Sequence, residues 1–306
     1  MSERRTSSRR GPTATRIGVL AVLAPITAFS LMNLIVKVVR TPPLVFAFYR
    51  LWVGSAVMIS VLAVTGRRLS WSTLRRASLS GALFGANLCF FFSALRLTSV
   101  ADVLIVAALQ PALTLIVAGP LFGERVTGHE VAWTIVSLVG VVLVILGSSG
   151  TPVWSLRGDL LALGALFAWT VYWLLSKRLR EDIPALEYMT AVTVVAAIVV
   201  TPVAVLSGQS FTARWQDLWW LLLFVAGAQG GHSVLAWSHA QMDVSISALL
   251  ILVEPVLSPV AALLILGEPL PALSIAGGIL TVAAVGMVIR RATSGANDAP
   301  PEIAPA

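Results

Sequence analysis

LQPALTLIVAGPLFGE (Leu109–Glu124) and VEPVLSPVAALLILGE (Val253–Glu268) are two versions of one segment, 144 residues apart and aligned without a gap. Pro111/Pro255, Leu113/Leu257, Ala118/Ala262, Gly123/Gly267 and Glu124/Glu268 coincide, and Gln110 stands where the second copy has Glu254. Each copy is apolar, carries a polar residue and a proline near the middle of its span, and ends in Gly-Glu. A duplicated apolar segment with an interrupted, polar centre points to a transporter's binding site.

The rest of the chain fits a lipid solvent. Of 306 residues, 58% are hydrophobic and 11% charged, whereas a soluble domain carries roughly a quarter charged residues. Spans of membrane length fall near 17–39, 43–64, 77–97, 101–122 and 128–147, then 158–177, 185–206, 216–238, 244–266 and 271–290. Each is close to the 20 or so apolar residues a crossing needs. The fold expected is an all-α integral membrane protein of ten transmembrane helices, with the first repeat over 17–150 and the second over 151–291. Residues 1–16 read as a disordered arm and 292–306 as a disordered tail. Five spans per repeat is an odd number, so the second copy enters the membrane from the opposite side, giving an inverted repeat.

Lysine and arginine set the orientation. With both termini in the cytoplasm, fifteen of them lie on that side and five (Lys37, Arg40, Arg96, Arg157, Arg214) outside, leaving Arg50 within a span. The sequence pI near 10.7 therefore reflects topology, and no nucleic-acid partner is expected. The apolar run after Arg4, Arg5, Arg9 and Arg10 is too long for a signal peptide's core. Two lysines against nineteen arginines fit a GC-rich bacterial genome, and the location expected is the bacterial plasma (inner) membrane. Cys89 is the one cysteine, so neither a disulfide within the chain nor a thiolate metal site can form.

Further repeat signals support the pairing. Ala28-Phe29-Ser30 with Lys37 aligns with Ala168-Trp169-Thr170 and Lys177, and Gly81-xxx-Gly85 with Gly227-xxx-Gly231. Taken with the two Pro…Gly-Glu segments, the arginine of FAFYRLW in the second span and Ser93-Ala94-Leu95-Arg96, the chain resembles the EamA branch of the drug/metabolite transporter superfamily. The resemblance covers about residues 17–290. It implies a secondary transporter, an exporter of amino acid-like or drug-like metabolites among them, working by alternating access. The alternatives are an uncoupled facilitator or channel, or a membrane-embedded enzyme or scaffold. No Gly-x-Ser-x-Gly, His-Glu-x-x-His or Walker loop is present, so neither catalysis nor a cofactor is expected.

Glu254 leads the candidate site residues. It lies about 15 Å into its span by helical rise, where a carboxylate costs about 2.5–3.5 kcal/mol on insertion scales. It must be neutral, paired or facing a wet cavity, which makes it the candidate proton carrier; its other reading is a packing hydrogen bond. Arg50, about 10 Å deep, can hold a substrate carboxylate with its bidentate fork, pair with Glu254, or snorkel to the interface. Asn33, Asn87, Gln110, Trp169, Tyr172, Gln229 and His232 are candidates for lining the substrate site, or equally for binding helix to helix. Phe29, Trp169, Trp173 and Trp237 form an aromatic wall or simple packing. Glu124 and Glu268 either cap the following helices or close gates at their own faces. His232 and His239 are about 10 Å apart along a helix, too far for one metal ion, and no metal site is expected. The partners expected are the lipid bilayer, a small-molecule substrate and protons, for a monomer or homodimer.

Overall fold

The computed structural model describes residues 12–123, 127–148, 155–212 and 214–294. These residues form twelve helices: α1 (Pro12–Val38), α2 (Pro43–Val64), α3 (Trp71–Ala94), α4 (Val100–Ala108), α5 (Gln110–Phe122), α6 (Gly128–Ser148), α7 (Leu156–Leu179), α8 (Ala185–Leu206), α9 (Trp215–Ser238), α10 (Val244–Ile251), α11 (Glu254–Leu266) and α12 (Ala272–Ser294). Two pairs, α4/α5 and α10/α11, are single crossings broken in the middle, so the described residues make ten. Nine of the crossings are long and apolar throughout; in α1 the apolar stretch is shorter, Leu20–Ile35. Helix α1 starts five residues before the expected span, and residues 1–11 and 295–306, with most of the anticipated arm and tail, lie outside the described residues.

The two breaks occupy equivalent places in the repeat. Proline has no backbone N–H, so Pro111 and Pro255 each remove a helical bond one turn earlier. The chain answers with tight three-residue bonds, Leu109 N to Val106 O at 3.1 Å in one copy and Val253 N to Leu250 O at 3.1 Å in the other. Such tightening is how a helix end satisfies its last carbonyls. Gly123 and Gly267 end α5 and α11 with φ of 68°, a left-handed conformation that glycine adopts without strain. This is the physical meaning of the glycine in the duplicated Gly-Glu.

Small residues set the helix seams. A Cβ on Gly81 or Gly85 would meet backbone atoms of Val192 or Ala196, so α3 lies directly on α8. On Gly227 or Gly231 it would strike Met32 or Phe29 of α1. Lacking a hydrophobic drive between helices in lipid, such close approach is what holds them. The most extensive pair is α6 with α12, the fifth and tenth crossings. Their seam includes Ser137 and Thr281, repeat equivalents 144 residues apart, each hydroxyl donating to the other's carbonyl at 3.4 Å.

The ends of the crossings divide into two faces. The 65–70, 180–184 and 239–243 connections lie on one, here called the basic face, where Arg67 pairs with Glu187 at 3.2 Å and Arg76 with Asp182 at 2.6 Å. These exposed pairs contribute at most about 1 kcal/mol each. On the opposite face the 207–214 connection folds over α2, with Tyr49 Oη donating to Phe211 O at 2.7 Å and Gln209 Oε1 accepting from Leu44 N at 3.0 Å.

Candidate functional site

Helix phase locates an open space inside the bundle. Along α7 the exposed apolar residues Leu160, Leu163, Phe167 and Val171 mark the lipid side. Trp169 points about 200° away from both Phe167 and Val171, yet it is only half-buried. On α1 the lipid stripe runs through Leu20, Leu23 and Leu31. Phe29 and Asn33, each about 200° from Leu31, are half-buried and exposed respectively. Exposure on the inward side of two helices means a cleft, not lipid. Helix α11 agrees: all but Ala262 of its thirteen residues stay partly or fully open.

Glu254 sits in this cleft, at the break that starts α11. Asn33 Nδ2 donates to Glu254 Oε1 at 3.1 Å and to Ser258 Oγ at 3.0 Å. The Ser258 hydroxyl donates back to Glu254 O at 3.0 Å, and Ser30 Oγ approaches the same carbonyl at 3.3 Å. Glu254 forms no ion pair with any described residue. A carboxylate met only by one neutral amide is free to bind or release a proton without stranding a cation.

Arg50 lies across the bundle on α2, 8% exposed. It neither pairs with Glu254 nor snorkels to the interface. Its guanidinium carbon stands 5.1 Å from the Phe224 ring centre, and no described residue offers it a hydrogen bond or carboxylate. A cation over a ring recovers about 2 kcal/mol when desolvated, far less than a buried charge loses. Its guanidinium donors therefore remain available to a ligand.

An aromatic layer surrounds His232. The His232 ring on α9 packs with Phe29 (4.8 Å between centres), Phe84 (5.2 Å) and Trp169 (6.0 Å). Tyr172 closes the set, 5.2 Å from both Phe84 and Trp169. Phe29 and Trp169, equivalents in the repeat, thus flank one histidine from opposite halves. Neither nitrogen of His232 bonds to a described residue, and Nδ1 is buried.

Below this layer the basic-face half is solid. Trp173 is fully buried, 4.7 Å from the His239 ring, and His239 Nδ1 lies 3.0 Å from Ser176 Oγ. Lys177 donates to Met242 O at 2.5 Å and Arg180 to Ala236 O at 3.1 Å, so two buried cations hold the carbonyl end of α9 and the turn that follows it. Burial, reinforced by the Lys177 and Arg180 charges, pushes the His239 pKa down to about 3. The asymmetry has a sequence cause: Trp173 is the repeat equivalent of Asn33. The bulky residue fills one half and the small polar one leaves the other open.

Of the remaining candidates, Asn87, Gln229 and Tyr172 join one helix to another, while Gln110 bonds within its own. Asn87 Nδ2 donates to Ala165 O at 2.9 Å, Gln229 Nε2 to Thr193 Oγ1 at 3.0 Å, and Gln110 Nε2 to Thr114 Oγ1 at 3.1 Å within α5. Tyr172 Oη meets Met189 Sδ at 3.7 Å. Trp237, named with the aromatic wall, takes no part in the ring layer described here. Glu268 ends α11 with a backbone bond to Ala262 O at 3.3 Å, and Glu124 lies outside the described residues. Ser30, known from the sequence only as a repeat match, and Ser258, Phe84 and Phe224 join the site through the structure. Ser258 stands one turn after Glu254 and matches Thr114, and Phe84 lies between Gly81 and Gly85, so signals existed for both.

The sequence pattern of the EamA-like transporter family matches residues 16–146 and again residues 156–290. The chain belongs to the EamA-like transporter family. It is thus a multi-pass membrane protein of a transporter family, which is not an enzyme class. A relative from Bacillus subtilis (strain 168), named "Uncharacterized transporter YyaM", is 25% identical over 252 residues, 78% of this chain and 82% of its own. A solved structure described as "Crystal structure of protein" superposes with a TM-score of 0.73 at 24% identity, covering 91% of this chain and 99% of that one. That likeness concerns the fold alone.

Proposed function

We propose that this EamA-like protein is a secondary exporter of small metabolites carrying an anionic group, zwitterions included, driven by proton exchange at Glu254. The basic face is then cytoplasmic, with both termini inside a bacterial plasma membrane. The observation that carries the reading is a pair of intramembrane ionic groups, Arg50 on α2 and Glu254 at the start of α11, with no counter-ion among the described residues. Among the described residues Arg50 meets only the Phe224 ring, and the Glu254 carboxylate only the Asn33 amide. Intramembrane charges of this kind mark solute and ion paths.

Each group has a role that its surroundings suit. Arg50 offers a planar fork to a carboxylate or phosphate. Glu254, at a helix break near mid-membrane, sits where inverted-repeat transporters place their coupling groups. The cleft opens away from the basic face, so this arrangement is the outward-facing one, with Trp173, Lys177, Arg180 and His239 forming the inner barrier. The inward-facing arrangement exchanges the packing of the two halves. Asn87 and Gln229 act as helix ties, and Glu268 as a helix-end group.

The test is a thermal-shift screen of the purified protein against amino acids, organic anions and cationic dyes, followed by flux of any hit into reconstituted vesicles. Stabilisation grows with ligand concentration by mass action, and a transporter gives saturable flux. Non-saturating flux supports a channel instead, and binding without flux supports a scaffold or enzyme.

A further inference from the structure

Three features of the cleft narrow the solute. The first is the free edge of the aromatic layer. Phe84 and Tyr172 are buried, but Phe29 and Trp169 keep part of their rings open toward the cleft. In a packed core they would have been covered, and in lipid they would face outward, which helix phase excludes. The second is His232, at least nine-tenths buried with neither nitrogen bonded to a described residue. A buried polar group without a partner costs about 1–3 kcal/mol, so it is retained where something else supplies the partner. The third is Arg50, buried with only the Phe224 ring beside it.

We infer that the solute is a flat aromatic anion whose ring carries its own hydrogen-bonding atom. The inference rests on reading the cleft as the solute site. The solute's ring lies on Trp169 and Phe29, and offset or edge-on stacking of this kind adds about 0.5–1.5 kcal/mol beyond burial. Its anionic group reaches the Arg50 fork. The ring atom meets His232, which as a neutral imidazole both donates and accepts. His232 is therefore the residue that reads the ring, and Arg50 the residue that reads the charge. A site built to bond a polar atom discriminates strongly against an analogue lacking it, because the protein group is then stranded.

The experiment is titration calorimetry on the purified full chain with three probes: indole-3-propionate, benzothiophene-3-propionate and cyclohexylpropionate. The first two share shape and differ by a ring N–H against sulfur, and the third is not aromatic. Wild type should bind indolepropionate about tenfold tighter than the benzothiophene and not measurably bind cyclohexylpropionate. His232→Phe should equalise the two aromatic probes, His232→Asn should restore part of the preference, and Arg50→Gln should weaken both aromatic probes alike. Equal affinity for the cyclohexyl and indole probes, or binding of none of the three, overturns the aromatic inference on wild type alone, without need of a folded variant. An unchanged indole preference in His232→Phe overturns the role of His232. Saturable vesicle flux of a non-aromatic solute, with no aromatic probe bound, sinks this inference and leaves the transporter reading standing. Absence of saturable flux for any bound solute sinks the transporter reading instead.

Discussion

Gly140 on α6 faces α12 so closely that a Cβ there would lie 2.4 Å from Thr281 Oγ1, 2.7 Å from Gly277 O and 2.8 Å from Thr281 N. Rotating the Thr281 hydroxyl relieves the first contact but not the two with backbone. Reaching ordinary separation of 3.4 Å means moving the helices apart by about 0.7 Å. That spreading breaks the reciprocal Ser137 and Thr281 bonds, already long at 3.4 Å. Alanine gains about 1 kcal/mol over glycine in helix propensity, while overpacking a close seam costs about 1–3 kcal/mol. The two lost bonds add about 0.6 kcal/mol each. Gly140→Ala should therefore destabilise the protein by about 1–3 kcal/mol. Gly286, on the same seam's α12, has nothing within 4 Å of an added Cβ, so Gly286→Ala should stabilise by up to about 1 kcal/mol. Denaturation by SDS in mixed micelles, followed by tryptophan fluorescence, measures both. If Gly140→Ala proved as stable as Gly286→Ala, α6 and α12 would not form the close seam described.

Arg50→Ala should abolish binding of anionic solutes, and Arg50→Lys should retain part of it, because the charge remains while the bidentate fork is lost; calorimetry on both variants checks this. His239 stays neutral while packed, with its pKa pushed down from 6.5 to about 3 by burial and then by Lys177 and Arg180. Once released it takes a proton below 6.5, so the closed basic face loses stability as pH falls through that value, by about 30-fold at pH 5. Acrylamide quenching of tryptophan should rise on acidification in wild type and lose that slope in His239→Gln. With Cys89 replaced by serine, Asn33→Cys should react with a polar maleimide added from the face opposite the basic one, whereas Val141→Cys should not, since Val141 is fully buried.

The duplicated Pro…Gly-Glu segment carried most of the fold. A proline beside a polar residue at mid-span, repeated 144 residues on, marks a helix start inside a crossing, and a glycine before a charged residue a helix stop, so the paired breaks were legible in the sequence. Spacing of apolar runs placed the crossings to within a few residues. The site was legible in part. Glu254 and Arg50 stood out as charges in lipid, and Asn33, Trp169 and His232 as polar or aromatic residues on the right crossings. Which of the amides faced the cleft was not legible, because Asn87, Gln110 and Gln229 differ from Asn33 only in what happens to lie opposite them. Arg50 was open between Glu254, the interface and a solute until Phe224, ten residues into α9, supplied its neighbour. Lys177 counted only toward topology, yet it is buried on the Met242 carbonyl, a contact between crossings that no local pattern encodes.

Proton exchange at Glu254 is the central claim of the transport cycle, and the repeat supplies its control. Gln110 occupies the equivalent position on α5 and bonds to Thr114, the counterpart of Ser258, so the fold accommodates an amide there. Glu254→Gln keeps an acceptor for Asn33 and removes only the titrating proton. The measurement is uptake of a solute from the screen into vesicles with an imposed pH gradient, wild type beside Glu254→Gln. The account predicts gradient-stimulated uptake by wild type, and preserved binding with no stimulation in the variant. Equal stimulation of the two proteins by the gradient would contradict it and leave Glu254 a packing residue.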